Sequence, residues 1–104
     1  MVYQLAKQGS VFSTRPRAVR LLAHLHEVSD LDTTPLVLDF QGVRDMSYSF
    51  ADEFIGTLTQ RAIDEQVEAP QLINMEAPVC EMVSLSLASR ELPLPAQARV
   101  CAAV

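Results

Sequence analysis

The chain has 104 residues, a formal net charge of −5, 49% hydrophobic residues and no Trp, a composition that fits one domain with a modest aliphatic core and excludes a disordered chain. The acidic balance argues against nucleic acid as the main ligand, since phosphate backbones are held by Lys and Arg. No apolar run reaches the roughly 20 residues that span a bilayer, and MVYQLAKQGS lacks the basic-then-apolar order of a secretory signal, so no membrane role and a cytoplasmic location are expected.

Val2 to Ala6 alternates weakly as a strand does, Lys7-Gln8-Gly9 supplies a turn, and Ser10 to Thr14 is expected to return as the second strand of a hairpin. In STRPRAVRLLAHLHEV, Ser13 or Thr14 can cap a helix whose first turn tolerates Pro16. Ala18, Leu21, Leu22, Leu25 and Val28 then share one face, with the helix ending near Ser29. Arg15, Arg17 and Arg20 crowd its start and concentrate positive charge there; the cluster suits a solvated face, an acidic partner or a phosphate. After the loop DLDTTP, Leu36-Val37-Leu38 is a continuous apolar run, the mark of a strand covered on both faces.

From Ser49 the period changes. Phe50, Ala51, Phe54, Ile55, Leu58 and Ala62 form an apolar helical stripe, with Asp52, Glu53, Gln60 and Arg61 turned outward until Ala69-Pro70 breaks the helix. QLINM is a further short strand. APVCEMVSLSLAS is a third helix with Val79, Met82, Val83, Leu85 and Leu87 as core candidates. Cys80 and Cys101 are too few and too far apart for a disulfide framework or a Cys-x-x-Cys site; Cys80 is expected as a core thiol and Cys101 as a tail residue. The domain is expected over 1–89, with 90–104 as a loosely held tail.

This order of elements predicts an α/β fold, a mixed sheet of four strands whose central members are mostly parallel, with three helices packed on it. Functional residues in such sheets collect where strands turn into helices, and LDFQGVRDMSYSFADEF is such a place. Ser49 is the expected N-cap, in a near capping box with Asp52, which leaves Ser47 as a loop hydroxyl. A nucleophilic Ser49 is the sharper alternative, but G-x-S-x-G is absent and only His24 and His26 could act as base. As a phosphoacceptor, Ser49 would place a phosphate among Asp45, Asp52 and Glu53, with Arg44 the sole nearby cation. Tyr48 is the more credible aromatic surface contact, while Phe50 belongs to the core.

LVLDFQGVRDMSYSFADEFIG resembles the middle of STAS domains (sulphate transporter and anti-sigma factor antagonist domains). Leu38, Asp39, Gly42, Val43, Met46, Ser49 and Gly56 fit the spacing of their strand, Gly-Val turn and helix start. The Ser-Phe-x-Asp-Glu-Phe portion is similar to STAS-like domains of unknown function, a bacterial family without the usual phosphorylation signature. Ser47 stands where the STAS motif has Asp, Tyr48 at one serine position and Phe50 at a Gly, so Ser49 alone can inherit a phosphoacceptor role.

The resemblance implies a STAS-like α/β fold and a non-enzymatic regulatory module, without cofactor or metal. It would dock on a protein partner, in some cases an ATP-binding kinase-like regulator. The expected contact residues are Asp39, Arg44, Asp45, Ser47, Tyr48, Ser49, Asp52 and Glu53. A small-ligand or nucleotide sensor using the same turn with Arg15 and Arg44, and a serine hydrolase, are the rival classes. Self-association through the helix faces is left open.

Overall fold

The computed structural model describes residues 1–28 and 36–93. Strand β1 (Val2–Gln4) leads through a one-turn 3-10 helix (Leu5–Lys7) to β2 (Val11–Phe12), followed by helix α1 (Arg15–Val28). Strands β3 (Val37–Asp39) and β4 (Asp45–Met46) precede a long helical rod. The rod consists of α2 (Tyr48–Ala51), a π-helical turn (Asp52–Gly56) and α3 (Thr57–Asp64). Strand β5 (Gln71–Ile73) and helix α4 (Ala77–Ser89) complete the α/β fold.

The strands form two small sheets, β1-β3-β5 and β2-β4, and every pairing is parallel. The expected β1–β2 hairpin does not form. The 3-10 turn and Gly9 (φ 148°) offset β2 from β1 instead of folding it back, and β2 pairs with β4. Strands joined in parallel need long crossovers, which α1 and the helical rod supply. The middle residues of the larger sheet, Tyr3, Leu38 and Leu72, lie side by side in register and are buried. Val37 and Asp39 on the other face are only half-buried, so β3 is not covered on both sides as its apolar run implied.

Helix α1 starts as its sequence dictates. The Thr14 hydroxyl accepts the Arg17 N–H at 3.3 Å, and Pro16 sits where no intrahelical N–H is needed. Ala18, Leu21 and Leu25 are buried, while Val28 is exposed. In the rod, Phe50, Ala51, Phe54, Ile55, Leu58 and Ala62 all face the core as the stripe required. Phe50 lies between Phe12 (centroids 4.9 Å apart) and Phe54 (5.5 Å), joining β2 to the rod. The rod stops at Asp64 rather than at Pro70, because Gln66 adopts a left-handed conformation (φ 55°).

On α4, Val79, Val83 and Leu87 are buried as expected and Met82 packs partly against the core. Leu85 is exposed, and the small residue Ser86 takes the core position, its hydroxyl donating to the Val83 carbonyl at 2.9 Å. Cys80 is buried on this helix but is not a free thiol, which corrects its expected state; Cys101 lies outside the described residues. Contacts continue past residue 89, since Leu92 packs on the core and Arg90 bonds to the rod; residues 94–104 of the expected tail lie outside the described residues. Among the described residues no helix is long and apolar enough to cross a membrane.

Thr59 is the anomaly of the interior. Its Oγ1 is buried with no hydrogen-bond partner among the described residues. An unsatisfied hydroxyl costs desolvation free energy without return, so Thr59→Val should raise stability by about 1 kcal/mol. Urea unfolding would show the midpoint move upward.

Candidate functional site at the strand to helix turn

The turn begins at Asp39, the last residue of β3. Its Oδ1 accepts from the Gln41 N–H (2.9 Å) and from the Asn74 side-chain amide (3.0 Å), which clips the carboxyl ends of β3 and β5 together. The Val43 N–H then bonds the Phe40 carbonyl at 2.9 Å, with Gly42 at φ 90° in the third position of the turn. A side chain at Gly42 would be strained there and its Cβ would stand 3.0 Å from that of Ala6. Arg44 and Asp45 emerge exposed, and the Asp45 carboxylate accepts the N–H of Met46 at 2.9 Å.

Ser47, not Ser49, caps the rod. Its Oγ accepts the Phe50 N–H at 3.0 Å and donates to the Ser13 carbonyl at 2.9 Å, while its own N–H bonds the Phe12 carbonyl at 2.8 Å. One residue therefore caps the helix and ties its mouth twice to the end of β2. The capping-box reading failed because that motif locates the cap from a pair of side chains. Here the N3 residue is Phe50, drawn into the core, so no acid completes the box. Ser49 lies half-buried two residues inside, with no hydrogen bond from its hydroxyl among the described residues. Ser47→Ala should cost about 1 kcal/mol. Ser49→Ala should stay within about 0.5 kcal/mol, and thermal melts of the two variants separate the assignments.

Asp52 is the larger surprise. Instead of projecting outward it is largely buried, its side chain 14% exposed, between two guanidinium groups. Arg90 Nε donates to Oδ1 at 2.6 Å and Arg15 Nη1 to Oδ2 at 2.8 Å; Arg15 also lies 3.7 Å from Glu53. The Arg90 hydrogen bond, opposed by burial and reinforced by Arg15, holds the Asp52 carboxyl below its ordinary value of 3.8. The same bond pushes the Arg90 guanidinium up. Gly56 makes this clasp fit, because a Cβ there would lie 2.7 Å from Arg90 Nε. Arg44 is thus not the only cation near the helix mouth, and Asp52 is no free carboxylate.

The eight expected contact residues fall into three groups. Asp39 binds Asn74 at the sheet ends; Arg44, Asp45, Ser47 and Tyr48 line β4 and the helix mouth; Asp52 and Glu53 face Arg15. Ser49 stands one helical turn before the last pair. Tyr48 is 38% exposed and hydrogen-bonded to Ser89; the Ser89 proton goes to the Ser86 carbonyl, so the tyrosine donates. Arg15 and Arg90 escaped sequence reasoning as Asp52 partners, being 37 and 38 residues away in the chain. The π-turn had no sequence signal beyond three consecutive buried residues, Phe54, Ile55 and Gly56.

The histidines stand elsewhere. His24 Nδ1 is 2.8 Å from the Tyr3 hydroxyl and His26 Nδ1 is 2.7 Å from the Leu22 carbonyl. Burial pushes the Tyr3 phenol up, which keeps it protonated beside His24. Among the described residues no group of three or more His, Cys, Asp or Glu side chains could hold a metal ion.

Parallel strands feeding a capped helix through a Gly-Val turn make this a small α/β domain of the STAS-like class. The model of the family described as "STAS-like domain of unknown function (DUF4325)" matches residues 17–69, just over half the chain, and the chain belongs to that family. No curated protein and no solved structure matches the chain. The matched segment contains Asp52 but neither Arg15 nor Arg90.

Proposed function

We propose that this STAS-like domain is a non-enzymatic regulatory module that docks on a protein partner through the turn from Asp39 to Glu53. The observation that carries the proposal is a division of labour in the turn. Ser47, Phe50 and Asp52 are committed to the interior, while Arg44, Asp45 and Tyr48 project from a mouth held on several sides. A surface fixed before binding loses little conformational freedom on association, and an exposed tyrosine flanked by both charge signs is a suitable anchor. The small-ligand alternative is weakened because Arg15 is already paired with Asp52. For the hydrolase alternative, neither imidazole is hydrogen-bonded to Ser49 among the described residues.

A photo-crosslinking side chain at position 48 should yield a discrete partner adduct in cells. The same group at Val19, exposed on α1, should not. Equal labelling from both positions would contradict the proposed surface.

A further inference from the structure

We propose a second binding site, for a phosphate monoester group, in the cleft between the Gln8 turn and helix α1. The cleft encloses about 220 Å³ and is lined by Gln8, Arg17, Arg20, Leu21 and His24, none of which belongs to the turn discussed above. Positions 17, 20, 21 and 24 recur at helical spacing, so their side chains rise from one face of α1.

Arg17 is held in place before any ligand arrives. Its Nη1 donates to the Val11 carbonyl at 2.8 Å and its Nη2 to the Gln8 carbonyl at 2.7 Å, with the guanidinium 4.6 Å from the Phe12 ring centre. Gly9 is what lets it lie there, since a Cβ at that residue would stand 2.4 Å from Arg17 Nη2. Both carbonyls are neutral, so the positive charge of Arg17 is not cancelled and further N–H groups remain to donate. Arg20 has no hydrogen-bond or ion-pair partner among the described residues, whereas Arg15, Arg61 and Arg90 each meet a carboxylate. His24 adds a donor: when the Tyr3 phenol donates to Nδ1, the neutral ring carries its proton on Nε2. The one acidic residue on α1 is Glu27, three residues beyond His24, exposed and outside the lining of the cleft.

Two guanidinium groups, an imidazole and an amide line one cleft, and no carboxylate is among its described lining residues, so its two positive charges are not neutralised there. Planar guanidinium groups pair with phosphate oxygens through parallel N–H bonds, and a compact dianion answers both charges at once. On a chain of net charge −5 this local excess of cations has no role in solubility that acidic residues would not serve as well.

The test is a 1H–15N NMR titration of the full chain with inorganic phosphate and with glycerol 3-phosphate, against glycerol and sodium chloride at matched ionic strength. Saturable shifts at Gln8, Gly9, Arg20 and His24 with the two phosphates alone are expected. Arg20→Gln, an exposed change that leaves the fold intact, should weaken both by about tenfold. Arg44→Gln, in the turn, should leave phosphate affinity unchanged, which separates this site from the docking surface. Shifts that do not saturate, that sodium chloride reproduces, or that persist at full affinity in Arg20→Gln would overturn the assignment.

Discussion

Phe50→Ala should lower the unfolding free energy by about 4 kcal/mol, measured by urea titration at neutral pH. The ring is fully buried and bridges Phe12 on β2 to Phe54 on the rod. Its loss removes the transfer free energy of a benzyl group and leaves a cavity between β2 and the rod. The Phe50 N–H is also the one that Ser47 caps, so relaxation of the backbone into the cavity would loosen the helix mouth. A domain of this size has roughly 5–15 kcal/mol in hand, so the variant would fold marginally. Phe50→Leu, which retains most of the volume, should cost about 1.5 kcal/mol.

The second large effect concerns the clasp on Asp52. Asp52→Ala should destabilise by about 2 kcal/mol, because it removes two charge-assisted hydrogen bonds from a largely buried carboxylate, while Arg15 and Arg90, 46% and 31% exposed, recover part of that through hydration. Gly56 gives a sharper outcome. Its backbone is ordinary α (φ −60°, ψ −43°), so helix propensity alone favours Ala there by roughly 0.5–1 kcal/mol. In this chain the added methyl meets Arg90 Nε at 2.7 Å and must displace it from Asp52. Gly56→Ala is therefore expected to destabilise the native protein and to stabilise an Arg90→Ala background. That reversal of sign is the signature of two residues sharing one contact.

Acidity checks the same clasp. The Asp52 carboxyl is depressed in the folded state, so the stabilisation is complete above its unfolded value near pH 4. It fades as pH falls through the lower folded value. Asp52→Asn should thus be destabilised relative to the native chain at neutral pH, and the difference should shrink steadily below about pH 4.

What the sequence reveals here follows the range of the interaction involved. The apolar stripe from Phe50 to Ala62 is legible because burial repeats with helical period, and Thr14 and Pro16 mark the start of α1 by local backbone chemistry. The short strands are legible as apolar runs, yet their partners are not. Pairing β2 with β4 instead of β1 depends on how far the 3-10 turn displaces the chain. At the candidate site the turn is legible, since a Gly between a strand and a helical stripe marks a chain reversal with positive φ. The cap is ambiguous in the sequence because two serines stand two residues apart, and which one caps depends on where Phe50 enters the core. Asp52 reads as a surface acid because its partners are Arg15 and Arg90, which the fold alone brings to it.

The claim at the centre of this account is that the helix mouth presents Arg44, Asp45 and Tyr48 outward while its serine cap and Asp52 hold it from within. The most direct measurement is partner binding by two variants of the full chain, each first shown to melt within a few degrees of the native protein. One carries Arg44→Glu and Tyr48→Ala; the other carries Ser49→Ala. The account predicts that the first loses the partner crosslinked through position 48 and the second binds it at native affinity. Native binding by the first variant, or loss of binding in the second, would contradict it.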